Sequence, residues 1–438
     1  MKQYTDFYMA NRDVVCGNSC QAMNALRQDA CSTLQNAHLP RKGEEDYEAS
    51  DIAALFAPDY GINIRRVDFN IDAAASFQCD VPNMATQKLY YFNDIPHLGQ
   101  FSADSPIVTT ISEASARYPH IVAAHYGKIA PADDAQIALS NMLAQDGIFI
   151  YVPANTVVEK PLQLVNIMNA NMPLLAFRRI LVVLGKNSQT RLLVCDHTQE
   201  RDQDFLISQV VEIAAGENAR FDYYDIEESS ERTHRVNHIF AKQEANSSLL
   251  IDGITLHNGF TRNNYRIDVN GENCDTRLLG MVIAGGSCHI DNHSYIAHNA
   301  PRCQSNELMK YVLSDNATGA FSGQIYVAPN CPKVEAYQAN RNICASANAK
   351  MYTKPQLIIH TDDVKCSHGA AIGQLDDSAL FYMRSRGIPE NEAKVMLMQA
   401  FMADAIEAVR MDSLKDRLRH LVDKRLSGAD SCADCKLK

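Results

Sequence analysis

The segment DDVKCSHGAAIG, residues 362–373, sets a thiol and an imidazole two residues apart, at Cys366 and His368. Both side chains are ligands for iron, zinc and copper, and together they also resemble a nucleophile and its base. On an extended segment, residues i and i+2 face the same side, so the two groups would share one surface. The plain alternative is a buried turn, because Gly369, Ala370 and Ala371 permit close backbone approach.

A second dense group lies in SCHIDNHSYIAHNAPRC, where Cys288, His289, His293, His298 and Cys303 fall close together. In a strand, His289 and His293 would share a face, with His298 beyond a turn. Such a set can bind a soft or borderline metal, or its members can hydrogen-bond to turn backbones. CADC, at Cys432–Cys435, has the CxxC form, but no second such pair completes a zinc site, and a mobile tail is expected there. CGNSC, at Cys16–Cys20, lacks the aromatic residue of a cysteine-protease start and reads as a helix N-terminus. LGKNSQT lacks the upstream glycine of a phosphate-binding loop, and neither GxSxG nor HExxH occurs.

The chain around these groups has 438 residues, 46% hydrophobic and 21% charged, which suits a folded protein of several domains. A net charge of −11 disfavours a nucleic-acid groove, because phosphates would be repelled. The start, MKQYTDFYMANRDVV, shows no signal peptide, and the longest apolar runs are far too short to span a bilayer. A cytoplasmic protein is expected, and its 13 cysteines then read as reduced thiols.

Three textures divide the chain. Residues 1–146 read as an α-rich N-terminal domain. NSCQAMNALRQDACSTLQNA has Ala22, Leu26 and Leu34 at helical spacing, and ADDAQIALSNMLAQDG predicts a helix stopping at Gly147. Residues 147–373 are a succession of short β runs such as GIFIYV, RRILVVLG and FSGQIYVAP, with no helix-length segment between them, which excludes βαβ units. Their turns begin at Gly185, Gly216, Gln243, Gly271, Gly285, Asp315 and Pro329, one or two steps of about 14 residues apart. That regularity favours a β-solenoid, with a β-sandwich as the rival. Residues 374–428 are helical. Val395, Met398, Met402, Ile406 and Val409 form one apolar stripe, and Leu414, Leu418, Leu421 and Val422 a second. Residues 429–438 form the tail.

The run from the last β segment into the helices, DDVKCSHGAAIG followed by LFYMRSRGI, is similar to the C-terminal signature of the SufB/SufD family of iron–sulfur cluster assembly proteins, in its SufD-type form. LPRKGEEDYEASDI, NMLAQDGIFIYVPANTVVEKPLQL and GAFSGQIYVAPNCPKVEAYQANRNI resemble further stretches of that family. Tyr47 stands where the family usually has tryptophan, and this chain has none.

The resemblance implies a right-handed parallel β-helix between an α-rich N-terminal domain and a small helical C-terminal one. It implies a scaffold subunit rather than an enzyme, pairing with SufB, binding the ATPase SufC and aiding iron entry. A transient iron–sulfur cluster would then form at the SufB interface. His368 and Cys366 become its candidate ligands, and Phe381, Tyr382, Arg384 and Arg386 candidate contacts for SufC. An isolated chain would pair with itself, and neither nucleic acid nor membrane is an expected partner. A carbohydrate-active β-helix enzyme and a purely structural adaptor are the alternatives.

Overall fold

The computed structural model describes residues 1–67, 85–98, 106–199 and 201–428. Helices α1 (Lys2–Gly17), α2 (Gln21–Asn36) and α3 (Ile52–Leu55) come first. Strands β1 (Gln87–Phe92), β2 (Ile95–Leu98) and β3 (Ile107–Thr110) follow, then α4 (Ile111–Arg117), α5 (Pro119–His125) and α6 (Ala135–Leu143). The strand series runs through β4 (Ile148–Val152), β5 (Leu162–Met168), β6 (Leu174–Leu184), β7 (Gln189–Thr198), β8 (Phe205–Ala215) and β9 (Arg220–Glu228). It continues with β10 (Thr233–Gln243), β11 (Ser248–His257), β12 (Phe260–Val269), β13 (Asp275–Ala284) and β14 (His289–His298). Strands β15 (Gln304–Leu313), β16 (Thr318–Val327), β17 (Val334–Cys344), β18 (Lys350–Ile359) and β19 (Val364–Gly373) complete it. Helices α7 (Asp377–Ser385), α8 (Glu390–Glu407) and α9 (Asp412–Leu426) close the described chain.

From β4 onward, even strands build one parallel sheet and odd strands a second, so each coil gives one strand to each. His234, Phe260, His289, Thr318 and Lys350 occupy one level in successive coils. The step is close to twice the turn spacing read from the sequence, because each coil has two turns. Parallel strands here need no helical crossover, since the partner of each strand lies one whole coil away. The fold is therefore a β-solenoid, not a sandwich. The sheets also reach back past residue 147: β1 pairs parallel with β5, and β3 antiparallel with β4.

The tight turns from the even to the odd sheet explain why the polar spacers recur. Asn155, Asn187, Asn218, Asn246 and Asn273 each adopt a left-handed conformation, with φ of 58–60°. Asparagine tolerates that region better than other residues with a Cβ. Their amides also stack: Asn187 donates to Asn155 Oδ1 at 2.7 Å and accepts from Asn218 Nδ2 at 2.8 Å. Between the sheets, inward residues such as Leu192, Tyr223, Ile251, Leu278 and Ile296 form one continuous core.

That core also holds charge. Arg235 pairs with Asp196 at 2.6 Å and with Asp225 at 2.9 Å, and Arg178 reaches Asp196 at 2.8 Å. Glu227 lies 3.4 Å from Arg235, and burial pushes it up to about 7. Two guanidinium groups thus face three carboxylates, and a proton held near Glu227 offsets the excess charge.

Both outer faces are covered. The N-terminal helices pack on the even sheet through Leu175, Phe177, Leu181 and Val183. Helices α8 and α9 pack on the odd sheet, with Met402, Ile406, Leu414, Leu418 and Leu421 against Leu250, Leu279 and Met281. Met398, Met402, Ile406 and Val409 of the first predicted stripe, and all four residues of the second, lie in this core; Val395 lines a surface groove instead. Helix α6 ends earlier than predicted, its C-cap being Ala144. Gly147 instead precedes β4, where a Cβ would lie 2.5 Å from the Arg179 carbonyl oxygen, so its role is close approach rather than helix termination.

Candidate functional site

Among the described residues each sheet ends at an unpaired edge strand: β18 pairs only with β16, and β19 only with β17. Cys366 and His368 both lie on β19, level with Ala336 and Gln338 of β17. They share a strand face, as read from their spacing, at roughly 6.6 Å along the strand. Their surroundings differ. Cys366 is half-buried and packs on the main core, and that burial pushes its thiol up, against a weaker opposing backbone hydrogen bond from Ala336. His368 is exposed. Gln338 beside it is buried, 3% exposed, and donates from Nε2 to Glu307 Oε2 at 2.7 Å.

A groove of about 720 Å³ opens along the last odd strands, lined by Asn306, Tyr337, Arg341, Ser367 and His368 and bounded by Ala408. The two edge strands carry lysines at Lys350, Lys354 and Lys365 and also expose Tyr352, Ile358 and Ile359 on β18 and Ile372 on β19. Beyond it, α7 begins with Asp376, whose side chain accepts from the Ser378 and Ala379 backbone N–H groups. This helix buries none of its residues. Phe381 is 74% and Tyr382 59% exposed. The Arg386 guanidinium lies 5.2 Å from the Tyr382 ring centre, and Arg384 is 3.3 Å from Glu390. The four candidate contacts are thus on or just past one helix, with the two arginines already engaged locally.

The Cys288–Cys303 group does not converge. His298 is the last residue of β14 rather than lying beyond a turn, and it faces inward, 2.8 Å from Ser305 Oγ. His289 faces outward to Ser50 Oγ at 3.1 Å, and His293 lies 3.5 Å from Asp46. Cys288 donates to the Asn258 carbonyl and Cys303 to that of Gly271. The strand alternation that separates His298 from its neighbours is what prevents a shared metal site. Among the described residues no group of three or more His, Cys, Asp or Glu could hold a metal ion. Cys432 and Cys435 lie outside the described residues. Cys16 and Cys20 lie at the end of α1 and the start of α2.

The outward histidines instead receive a strap from the N-terminal region. Tyr47 places its ring 4.4 Å from the Arg262 guanidinium, and Ser50 donates to Asp291 at 2.5 Å. Glu48 pairs with Lys354 on β18 at 2.8 Å. The stretch LPRKGEEDYEASDI therefore ties the N-terminal lobe to coils near the open edge.

Residues 166–401 match the family described as SUF system FeS cluster assembly, SufBD core domain, and residues 1–164 match the SufBD protein N-terminal region. The chain belongs to the SufBD family. The Synechocystis SufBD family protein slr0076 is 29% identical over 426 residues, covering 94% of this chain and 93% of that protein. The iron–sulfur cluster assembly protein SufD of Escherichia coli is 38% identical over 183 residues, covering 41% of this chain and 42% of that one. SufD of Bacillus subtilis is 27% identical over 296 residues, 66% of each chain.

This SufBD-family protein therefore has a role in iron–sulfur cluster assembly, the family models cover both regions of the chain, and two of the relatives are named SufD. Among its described residues no helix is long and apolar enough to cross a membrane. Two features escaped the sequence reading. The exposed aliphatic residues of β18 and β19 look like any other strand residues until the coils are counted and found to end there. Glu307 and Gln338 look like solvent-facing positions in an alternating strand, and only the register places them inside.

Proposed function

We propose that this SufBD-family chain is a non-catalytic, cytoplasmic scaffold subunit of SufD type. It pairs with SufB through the open end of its solenoid and binds the ATPase SufC through its C-terminal helices. The cluster is its cargo, assembled at the SufB interface, and the chain contributes to iron entry there. ATP hydrolysis belongs to the partner.

The observation that carries this reading is the open edge of β18 and β19, with His368 exposed on it beside Cys366. An unpaired, apolar sheet edge is a template for another chain's strands. His368 and Cys366 supply two donors, whereas the irons of a cluster take four thiolate or imidazole ligands in all. A second polypeptide at the edge would provide the others. A mixed set of one imidazole and one thiol, which must give up its proton to bind, holds less firmly than four thiolates, which suits a cargo that must leave. In the absence of SufB the same edge would accept a second copy of this chain. The exposed Phe381 and Tyr382 on a helix that buries nothing offer the face for SufC.

Anaerobic reconstitution with SufB and SufC tests the reading. His368→Ala should co-purify with both partners yet build cluster at least tenfold more slowly. Phe381→Ala with Tyr382→Ala should lose SufC and keep SufB. Full cluster assembly by His368→Ala would leave only the structural adaptor.

A further inference from the structure

Inside the last coils, three inward positions follow one another in register: Glu307 on β15, Gln338 on β17 and His368 on β19. The first two are fixed by hydrogen bonds. Glu307 accepts from Ser294 Oγ at 2.5 Å on one carboxylate oxygen and from Gln338 Nε2 at 2.7 Å on the other. Above the value of about 7 to which burial pushes it, Glu307 is a carboxylate that only accepts, so the glutamine must offer its amide NH₂ toward β15. Its carbonyl oxygen then points to the other side, and β19 is the strand on that side. That atom, Gln338 Oε1, is buried and has no hydrogen-bond partner. An unpaired buried carbonyl oxygen is costly, and the imidazole of His368, level with it on β19, is a side chain able to donate.

The facing sheet leaves room for this arrangement. Gly323 lies where a Cβ would meet Gln338 Nε2 at 2.4 Å and Ser294 Oγ at 3.0 Å. A side chain there would push the amide out of line.

We propose that Ser294, Glu307 and Gln338 form a positioning file in which Gln338 Oε1 accepts one ring N–H of His368. The other ring nitrogen, with its lone pair, is then turned to the open edge. Fixing the tautomer of a ligating histidine through its second nitrogen is a general device of metal sites. Here the fixing partner is an amide held by a buried carboxylate, built into the solenoid before any partner arrives. Gln338 and Glu307 are positioning residues and touch no cargo. The inference rests on the assignment of His368 to cluster assembly, but its test is independent of it.

The measurement is a long-range ¹⁵N–¹H spectrum of the full chain labelled with ¹⁵N-histidine, at a pH well above the value of about 7 to which burial pushes Glu307. His368→Ala identifies the signal. The ring in the wild-type chain should favour one tautomer roughly five- to tenfold more than it does in a free peptide of residues 364–372. Gln338→Leu and Gly323→Ala should remove that bias. A wild-type ratio equal to the peptide's, or a bias that survives in folded Gln338→Leu, overturns the file. The wild-type comparison decides even where a variant fails to fold. A retained bias beside a fully active His368→Ala chain would sink the cluster reading alone, whereas a lost bias beside an inactive one would sink the file alone.

Discussion

Asp252 shows how one residue can set the pH response of this fold. It lies on β11, level with Tyr224 and Leu279, both part of the core shared by the odd sheet and the C-terminal helices. Burial alone pushes its carboxyl up to about 7. A folded-state value above the unfolded one means the native state holds the proton more tightly. The resulting stability is full below about 4 and is lost as pH rises through about 7. Asp252→Asn has no proton to lose, so at pH 8 it should be more stable than the parent chain by on the order of 2 kcal/mol. Below pH 4 the two should agree. Thermal unfolding at both pH values checks this, and an equal difference at both would refute it. Glu307 and Glu227, each pushed up to about 7 by burial, bend the curve of the whole chain the same way. The comparison of the two chains isolates Asp252.

At the scale of elements, the coil turn is the repeated part, and its asparagines serve both conformation and contact. Asn187, with φ of 58°, bonds to asparagines in the coils before and after it. Asn187→Gly keeps the conformation and loses exposed side-chain bonds, so it should cost under about 1 kcal/mol. Asn187→Ala loses the bonds and adds left-handed strain, and should cost about 1–2 kcal/mol more. Denaturant midpoints of the two variants measure the difference; equal midpoints would show that the turn does not depend on its left-handed residue. These turns are also what made the solenoid legible. Polar spacers at regular steps and the lack of helices between β runs are local properties, visible in any stretch such as GKNSQT or GENAR. The apolar stripes of α8 and α9 were legible for the same reason. What lies across coils was not. Arg178 and Arg235 sit in strands whose alternation normally sends charge outward, and carboxylates on other strands, such as Asp196 and Asp225, hold them inside. The pairing of Cys366 and His368 on one face followed from their spacing, but not the burial of one beside the exposure of the other. Gln338 carried no signal at all, since its meaning depends on the strand one coil later.

For the whole molecule, the decisive feature is that its two ends are treated differently. The first coils are covered by strands β1 to β3 and by the N-terminal helices. Among the described residues the last coil has neither, and presents Ile358 and, 50% exposed, Ile372 along two unpaired edges. Natural sheets protect such edges with charge, proline or a covering element; Lys350, Lys354 and Pro355 do so in the first part of β18 and Lys365 in that of β19, and the proposed partner site is the aliphatic stretch beyond them. A lysine there restores the usual protection without disturbing the coil, because neither side chain fills the core. Ile358→Lys with Ile372→Lys should therefore leave the thermal midpoint nearly unchanged and weaken pairing by at least tenfold. Sedimentation of the isolated chain reads self-association, and co-purification with SufB reads the mixed pair. Loss of both assigns the edge to a shared interface. Pairing undiminished in a folded double variant would place the partner elsewhere, and His368 would then face solvent with nothing to complete its ligand set.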